Sequence, residues 1–248
     1  MNPFSKRSAR FAVLFLFAAL LPALYSCHDA GNCVTAPVGG GPGPAGAAPV
    51  LGGAGTFAIL AGSAVSINTV PTTIVGDVGV SPGSAITGMP SGQPTGGSVH
   101  AGDAVAATAQ TALTSAYNDL AGRPCNVPMT GVDLGGRTLS GNVYCFATSA
   151  QLTGTLTLNG DANTVFVFQI GSTLTTASGS AVILTGGAVA RNVFWQVGSS
   201  ATLGTNTAFA GNIMAQASIT LNTGSSLAGR ALARTGGVTL NTNAVAVP

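Results

Sequence analysis

One short phrase returns five times between Val143 and Pro248, and this recurrence limits the chain more than any other feature. The segments Val143-Tyr144-Cys145-Phe146, Val165-Phe166-Val167-Phe168, Val193-Phe194-Trp195-Gln196, Ile213-Met214-Ala215-Gln216 and Ala231-Leu232-Ala233-Arg234 follow one another at steps of 22, 28, 20 and 18 residues. Each leads to a second phrase in which Thr closely follows Leu: Leu152-Thr153-Gly154-Thr155, Leu174-Thr175-Thr176-Ala177, Leu203-Gly204-Thr205-Asn206, Leu221-Asn222-Thr223-Gly224 and Leu240-Asn241-Thr242-Asn243. A period near twenty residues, with β-branched residues, small or Gly corners and no helical spacing, predicts an all-β solenoid, a β-helix whose coils each supply short parallel strands. One coil cannot bury its apolar face alone. Leu152, Leu174, Leu203, Leu221 and Leu240 are therefore expected to stack inside the tube, with the neighbouring Thr side chains outward.

The charge pattern narrows the function. Only 6% of the 248 residues are charged, every acid is Asp, and every basic residue except Lys6 is Arg. Three of the eight basic residues (Lys6, Arg7, Arg10) lie in the first ten positions, so beyond Ser26 there remain 5 Arg against 6 Asp, a net charge near −1. No basic stripe is present, and a nucleic-acid partner is not expected.

Residues 1–26 read as an export signal, with a basic start, an apolar run from Phe11 to Leu21 and then Pro22 and small residues. The run is shorter than the ~20 residues of a membrane span. Leu24-Tyr25-Ser26-Cys27 resembles a bacterial lipobox, departing from it at Tyr25 where a small residue is usual. Two readings stay open: lipidation at Cys27, which would be the protein's one membrane attachment, or cleavage by an ordinary signal peptidase. His28 rather than Asp after the Cys directs an anchored form to an outer membrane, so the expected location is the cell surface or outer membrane, or else the medium. Residues 27–50, uncharged from Val34 onward and rich in Gly and Pro, are expected to form a flexible tether, with folded structure over 51–248. Four Cys in an exported chain favour disulfides. Cys125 and Cys145 flank the passage from helix to solenoid and are expected to pair; a Cys27 to Cys33 bridge would exclude lipidation of Cys27.

Within the folded part, Leu51 to Pro82 reads as one or two further coils, and residues 82–98, rich in Gly, Pro and Ser, as an irregular cap over the unpaired strand edges at an open end. One helix is expected between Ala101 and Ala121. Val105, Ala109, Ala112, Leu113, Ala116, Tyr117 and Leu120 recur there at spacings of three and four, and Gly122 and Pro124 end the pattern. A single amphipathic helix needs a partner surface, which places it alongside the tube.

The phrases Phe57-Ala58-Ile59-Leu60-Ala61-Gly62, Gly76-Asp77-Val78-Gly79-Val80-Ser81-Pro82-Gly83, Ala101-Gly102-Asp103-Ala104 and Val193-Phe194-Trp195-Gln196-Val197-Gly198, in the order coil, cap, helix and Thr-bearing coils, resemble the microbial ice-binding proteins. The resemblance covers about Leu51 to Val247. It implies a right-handed, irregular β-helix of triangular cross-section with the helix packed along one side, and an ice crystal surface as the partner of one flat face. That family's face often carries Thr, Ala or Gly, any residue, then Thr or Asn. Thr153-Gly154, Thr176-Ala177 and Thr223-Gly224 match its first two positions, whereas Thr205-Asn206 and Thr242-Asn243 do not.

Enzymatic chemistry has no foothold in this pattern. From Gly122 onward the only acids are Asp133 and Asp161, without the paired carboxylates that polysaccharide cleavage requires. With two His in the chain, neither a metal site nor any cofactor is expected. Asp77 and Asp103 read as turn and helix-start acceptors. The rings of Phe166, Phe168, Phe194 and Trp195 read mostly as tube filling, and Arg191, Arg230 and Arg234 as solvated or helix-contact charges. The expected ice-binding column is Thr153, Thr176, Thr205, Thr223 and Thr242, helped by Thr155, Ser178, Thr207 and Ser225. Outward Thr is common on any soluble strand, but an ordinary exposed face also carries Lys and Glu, and beyond Lys6 the chain has neither. The expected protein is a monomer that binds ice; a structural or adhesive solenoid binding a cell-surface polymer is the alternative.

Overall fold

Strand follows strand in parallel register throughout the computed structural model, which describes Met1 and residues 44–248. The export signal, Cys27, Cys33 and the tether as far as residue 43 lie outside the described residues. The strands form three ladders. The first, called here the helix ladder, runs in space through Val99–Ala101, Asp77–Val80, Phe57–Ala61, the second halves of Ser226–Ala233 and Ala208–Ala215, Val193–Val197, Phe166–Ile170, Val143–Phe146 and Val127–Pro128. The threonine ladder has seven strands: Ala150–Leu152, Leu174–Thr176, Ala201–Leu203, Ile219–Leu221, Val238–Asn241, Ala64–Thr69 and Ala85–Thr87. The alanine ladder takes Thr138–Leu139, Thr155–Asn159, Ala181–Thr185, the first halves of the two long strands, Ala244–Ala246 and Thr73–Val75. The long strands cross between ladders at Gly211 and Gly229. A Cβ at Gly211 would lie 2.7 Å from the Trp195 indole nitrogen, so only glycine lets the chain pass there.

Spatial order departs from chain order. The first coil stacks on the last, with Ile59 opposite Ala231, Val65 opposite Val238 and Ile74 opposite Val245. The chain then returns to the far end through the α-helix Ala104–Ala121, the one α-helix among the described residues. Its 18 residues span about 27 Å at 1.5 Å per residue, and with the links on either side they connect Val99–Ala101 to Val127–Pro128, the two ends of the helix ladder. Asp103 caps the helix by accepting from the Ala106 N–H at 2.8 Å, the role expected of it, whereas Asp77, expected to serve a turn, accepts from the Ser98 N–H at 2.8 Å, 21 positions away on the neighbouring coil.

Two apolar clusters hold the fold. Alternate residues of the ladders point inward and fill the space between them, including a run of rings, Tyr144, Phe168, Trp195 and Phe209, with successive centroids 5.3, 4.0 and 4.8 Å apart. The second cluster lies under the helix, where Ala109, Leu113, Ala116 and Leu120 cover Leu60, Val167, Phe194, Met214 and Leu232. Each such fully buried aliphatic or Phe side chain contributes roughly 1.5–3 kcal/mol. At the helix C-terminus Gln169 donates to the carbonyls of Leu120 and Arg123, at 2.7 and 2.8 Å. Just beyond, Cys125 and Cys145 are joined by a disulfide with a Cα separation of 5.8 Å, a cross-link over 20 positions worth about 3 kcal/mol of unfolded-chain entropy.

Several expectations are corrected. The helix starts at Ala104 rather than Ala101, which belongs to a strand, and Val105 is half-exposed while Ala106 takes the buried position. The expected irregular cap contains the strand Ala85–Thr87, paired with Ala64–Thr69, and Thr95 bridges to Val75, so the stack continues through it. Ala45 is buried and its carbonyl accepts from Arg123 at 2.7 Å, which places packed chain ahead of Leu51. Phe166, Phe168 and Trp195 fill the core between the ladders, but Phe194 points the other way, under the helix. Arg230 is buried, donating to the Gly55 carbonyl and to Asn212 Oδ1 at 2.7 Å, and burial lowers its pKa from the ordinary value. Arg234 does contact the helix, lying 4.5 Å over the Tyr117 ring.

Candidate functional site

The threonine ladder is built by period-two alternation around two inward columns. Ala150, Leu174, Ala201, Ile219, Val238, Val65 and Ile86 form one of them. Leu152, Thr176, Leu203, Leu221, Leu240 and Ile67 form the other. The residues between must face outward, and they are Gln151, Thr175, Thr202, Thr220, Thr239, Ser66 and Thr87, one per strand and in register. All seven are at least partly exposed.

Past the second inward column the chain turns toward the alanine ladder, and the turn carries another outward row: Ser178, Thr205, Thr223, Thr242 and Thr69. Their hydroxyls link along the stack, Thr205 donating to Ser178 at 2.8 Å and Thr242 to Thr69 at 2.9 Å. Left-handed backbone makes the turn possible at Gly179, Gly224, Asn206 and Thr242, the last two with φ of 56° and 54°. Between the two rows lie Ala177, Gly204, Asn222 and Asn241, with Asn68 at a bulge donating to Asn241 Oδ1 at 3.1 Å. The inner side of the turn is polar and buried: Ser180, Thr207, Ser225, Asn243 and Thr72. Asn243 Nδ2 donates to Asn222 and Ser225, while Ser180 donates to the Leu152 carbonyl at 2.9 Å. No buried side-chain nitrogen or oxygen of the turn's interior lacks a hydrogen-bond partner, so the outer row stands on a well-bonded base.

The expected column is therefore only partly assembled. Thr205, Thr223 and Thr242 stand in one exposed row, and Ser178 joins it as a full member. Thr176 is instead buried at 3% exposure, in the place expected for a Leu, with its hydroxyl accepting from the Gly204 N–H at 2.8 Å and bonded to Thr207 at 2.9 Å. Leu174 correspondingly leaves the Leu column and faces Ala150. Thr207 and Ser225, each 1% exposed, belong to the inner side of the turn. Thr153 is exposed but stands beside Ala177, its N–H donating to Asp133 Oδ1, because the turn after Leu152 is two residues shorter than the next. Thr155 is exposed on the alanine ladder, opposite Ala181. The row Thr175, Thr202, Thr220 and Thr239 was missed. Its signal is the residue immediately before the inward Leu in Thr202-Leu203, Thr220-Leu221 and Thr239-Leu240, since strand alternation makes both neighbours of an inward residue outward.

No strand of the threonine ladder holds a charged residue. The nearest carboxylate is Asp133, at the far end beside Gln151. Burial pushes its pKa up, but the N–H groups of Gly135 and Thr153 and the Thr153 hydroxyl outweigh that and hold it below the usual range. Asp161 lies in an open cleft of about 800 Å³ near Pro44 and Ser140. The Thr164 hydroxyl and the Asn163 N–H lower its pKa, so the carboxylate is occupied by its own turn. Among the described residues no group of three or more His, Cys, Asp or Glu side chains is placed to hold a metal ion.

Comparison with known proteins gives a consistent picture. The family described as Ice-binding-like matches residues 59–246. An ice-binding protein of a Nostoc species is 54% identical over 199 residues, covering 79% of this chain and 73% of that protein. The crystal structure of an ice-binding protein from the Antarctic ascomycete Antarctomyces psychrotrophicus superposes with a TM-score of 0.78 at 40% identity, covering 81% of this chain and 98% of that one. An ice-binding protein from an Antarctic biological consortium gives a TM-score of 0.77 at 46% identity, covering 81% and 91%.

Proposed function

The chain belongs to the Ice-binding-like family, and from that premise we propose that it adsorbs to ice through the threonine ladder. The carrying observation is the pair of outward hydroxyl rows, in register strand after strand, with no charge between them. Parallel strands repeat the rows at about 4.8 Å, and successive outward residues on one strand lie ~6.8 Å apart. Each Thr presents a donor, an acceptor and a methyl group. One hydroxyl-to-water bond contributes little net free energy, roughly 0.5–1.5 kcal/mol at most, so adsorption rests on many made at once. They add only if the rows are already fixed, since ordering side chains on binding costs affinity. The buried polar turn and the inward Leu column supply that fixity. A Lys or Glu would hold its own hydration shell and break the water pattern.

In this reading the three ladders are the sides of a right-handed, irregular β-helix of triangular cross-section, with the helix along one side and packed chain from Ala45 onward. The family and these relatives are named for ice and not for a reaction; the chain is not an enzyme. It acts as a monomer, giving thermal hysteresis, recrystallisation inhibition or ice adhesion. Export, and anchoring at Cys27 through a tether that ends ahead of the buried Ala45, complete the proposal; a mature N-terminus mapped elsewhere than Cys27 would remove the anchor.

Two substitutions test the face. Thr220→Tyr and Thr223→Tyr each place bulk on one outward row, at a stability change within about 0.5 kcal/mol for a surface site. Both are expected to lose most of the thermal hysteresis while circular dichroism stays unchanged. Unaltered hysteresis and crystal shape in both variants would show that the ice face lies elsewhere. Wild-type droplets that freeze without faceting would favour the adhesive alternative.

A further inference from the structure

Where the last coil of the threonine ladder receives the first, turns of unequal length meet. Leu221 pairs with Leu240 and Ser226 with Ala244, so the four residues 222–225 lie against only three, 241–243. On the other side Ile67 pairs with Leu240 and Thr73 with Ala244, which sets the five residues 68–72 against the same three. A turn one residue shorter than its neighbour has one peptide group fewer with which to bond across the stack.

Asn243 fills that place. It is 4% exposed, and its side-chain amide offers an acceptor and donors as a peptide group does. Oδ1 accepts from the Asn241 N–H two positions back, while Nδ2 donates to the carbonyls of Asn222 and Ser225 in the longer turn, both at 2.9 Å. The Asn243 N–H donates to the Thr72 hydroxyl at 3.3 Å, and Thr72 in turn donates to the Thr69 carbonyl at 2.9 Å. One residue thus ties all three turns together.

What these bonds hold is Thr242. Among the described residues it is the one β-branched residue with a left-handed backbone, φ 54°, a conformation that such a residue keeps only where its surroundings over-determine it. In that conformation its hydroxyl donates to the Thr69 hydroxyl at 2.9 Å and its carbonyl accepts from the Gly224 N–H at 3.0 Å. The outer row of Thr205, Thr223, Thr242 and Thr69 therefore crosses from the last coil to the first through a residue that does not hold its place unaided.

We propose that Asn243 is a positioning residue for ice adsorption: buried itself, it fixes Thr242, and through it the step of the outer row from Thr223 to Thr69. This rests on the ice-binding reading of the threonine ladder. Without the amide, Thr242 relaxes to an ordinary negative φ and turns its hydroxyl away from Thr69. The row then breaks at the junction while the strands on either side keep their pairing.

The test compares thermal hysteresis per folded molecule of the full chain, with circular dichroism at the assay temperature establishing that each variant is folded. Asn243→Ala is expected to lose most of the hysteresis. Thr242→Gly deletes one hydroxyl of the row but takes the left-handed turn without help, and is expected to lose only part. Asn243→Ala/Thr242→Gly then recovers to the level of Thr242→Gly alone, a recovery that a merely stabilising residue would not show. Should Asn243→Ala fail to fold, Asn243→Ser, with the side chain that Ser180 and Ser225 place on the inner side of their turns, replaces it in the same comparison; folding in neither makes Asn243 a determinant of the fold instead and overturns the proposal. Full hysteresis in the folded Asn243 variant, or a double variant no more active than it, also overturns the proposal and leaves the ice face intact. Thr223→Tyr, measured alongside, separates the two readings: full hysteresis there overturns the threonine-ladder reading and the positioning role with it, whereas its loss beside an unaffected Asn243 variant removes the positioning role alone.

Discussion

The helix ladder and the threonine ladder share one stack and one core, yet one is covered and the other bare. Facing the helix are Val143, Val167 and Phe194, and further along Met214, Leu232 and Leu60, all buried. Facing solvent in the other ladder are Thr175, Thr202, Thr220 and Thr239. Leaving the first set in water would forgo roughly 25 cal/mol for each Å² of apolar surface, which is why a helix must lie there. Covering the second would strip water from hydroxyls with no partner waiting, at about 1–3 kcal/mol each. Outward residue type thus decides which side of a strand stack is a seam and which is a working surface.

The contrast can be broken experimentally, beginning with the largest change. Phe194→Ala, at the seam, should cost about 3–5 kcal/mol, read as a lowered thermal or denaturant midpoint, while ice activity per folded molecule stays the same. A matching fall in activity of the folded protein would mean that the two ladders are not independent. Thr176→Ala removes a buried hydroxyl that pairs with the Gly204 N–H and with Thr207, and should cost about 1–3 kcal/mol without altering hysteresis. Were hysteresis to fall with stability unchanged, Thr176 would belong to the working surface after all. Thr220→Val keeps the methyl groups and shape but deletes an exposed hydroxyl. Stability should move by less than about 0.5 kcal/mol and hysteresis should drop only in part, a measure of how much the hydroxyl adds to the methyl.

The smallest effect concerns acid. The Ala106 N–H, and after it His100, hold the exposed Asp103 carboxyl below its ordinary value. A carboxylate with a lowered folded pKa adds stability that is present above its unfolded value, near 3.9, and is lost as pH falls through the folded one. Melting temperature should therefore dip slightly below about pH 4, and Asp103→Asn should flatten that part of the dip. Since Asp103 caps the helix, ice labelling at the same pH should not change.

Although Val143 pairs with Val167 and Trp195 with Ile213, each two residues from the alignment of the phrases, and Phe194 turns to the helix, the presence of a repeat, the presence of the helix and the Cys125 to Cys145 pairing could be read from the residues, because each is a local or periodic signal. The register of the threonine ladder could not. Leu174 and Thr176 both point inward, two residues apart, and aligning the repeats on Leu chose the wrong one. What places Thr176 opposite Leu152 is remote: Gly204, whose N–H is free to bond the Thr176 hydroxyl and where a Cβ would lie 2.6 Å from the Thr176 carbonyl oxygen. The same limit explains Thr207 and Ser225, whose burial depends on how neighbouring turns nest, and Arg230, whose partners Gly55 and Asn212 come from distant segments.

The stacking of the first coil on the last carries a kinetic consequence. Ile59 pairs with Ala231, 172 positions later, and Val65 with Val238. During synthesis the edges of Phe57–Ala61 and Ala64–Thr69 stay open until residues 226–241 exist, and open edges recruit other strands. Contacts this remote in sequence also belong to the slow end of folding. The coils from 143 to 233, each beside its neighbour in sequence, are predicted to become protected first in pulsed hydrogen exchange, with 57–69 last; simultaneous protection would refute that order. The coil made first is the one that waits, and the coil made last is the latch that receives it.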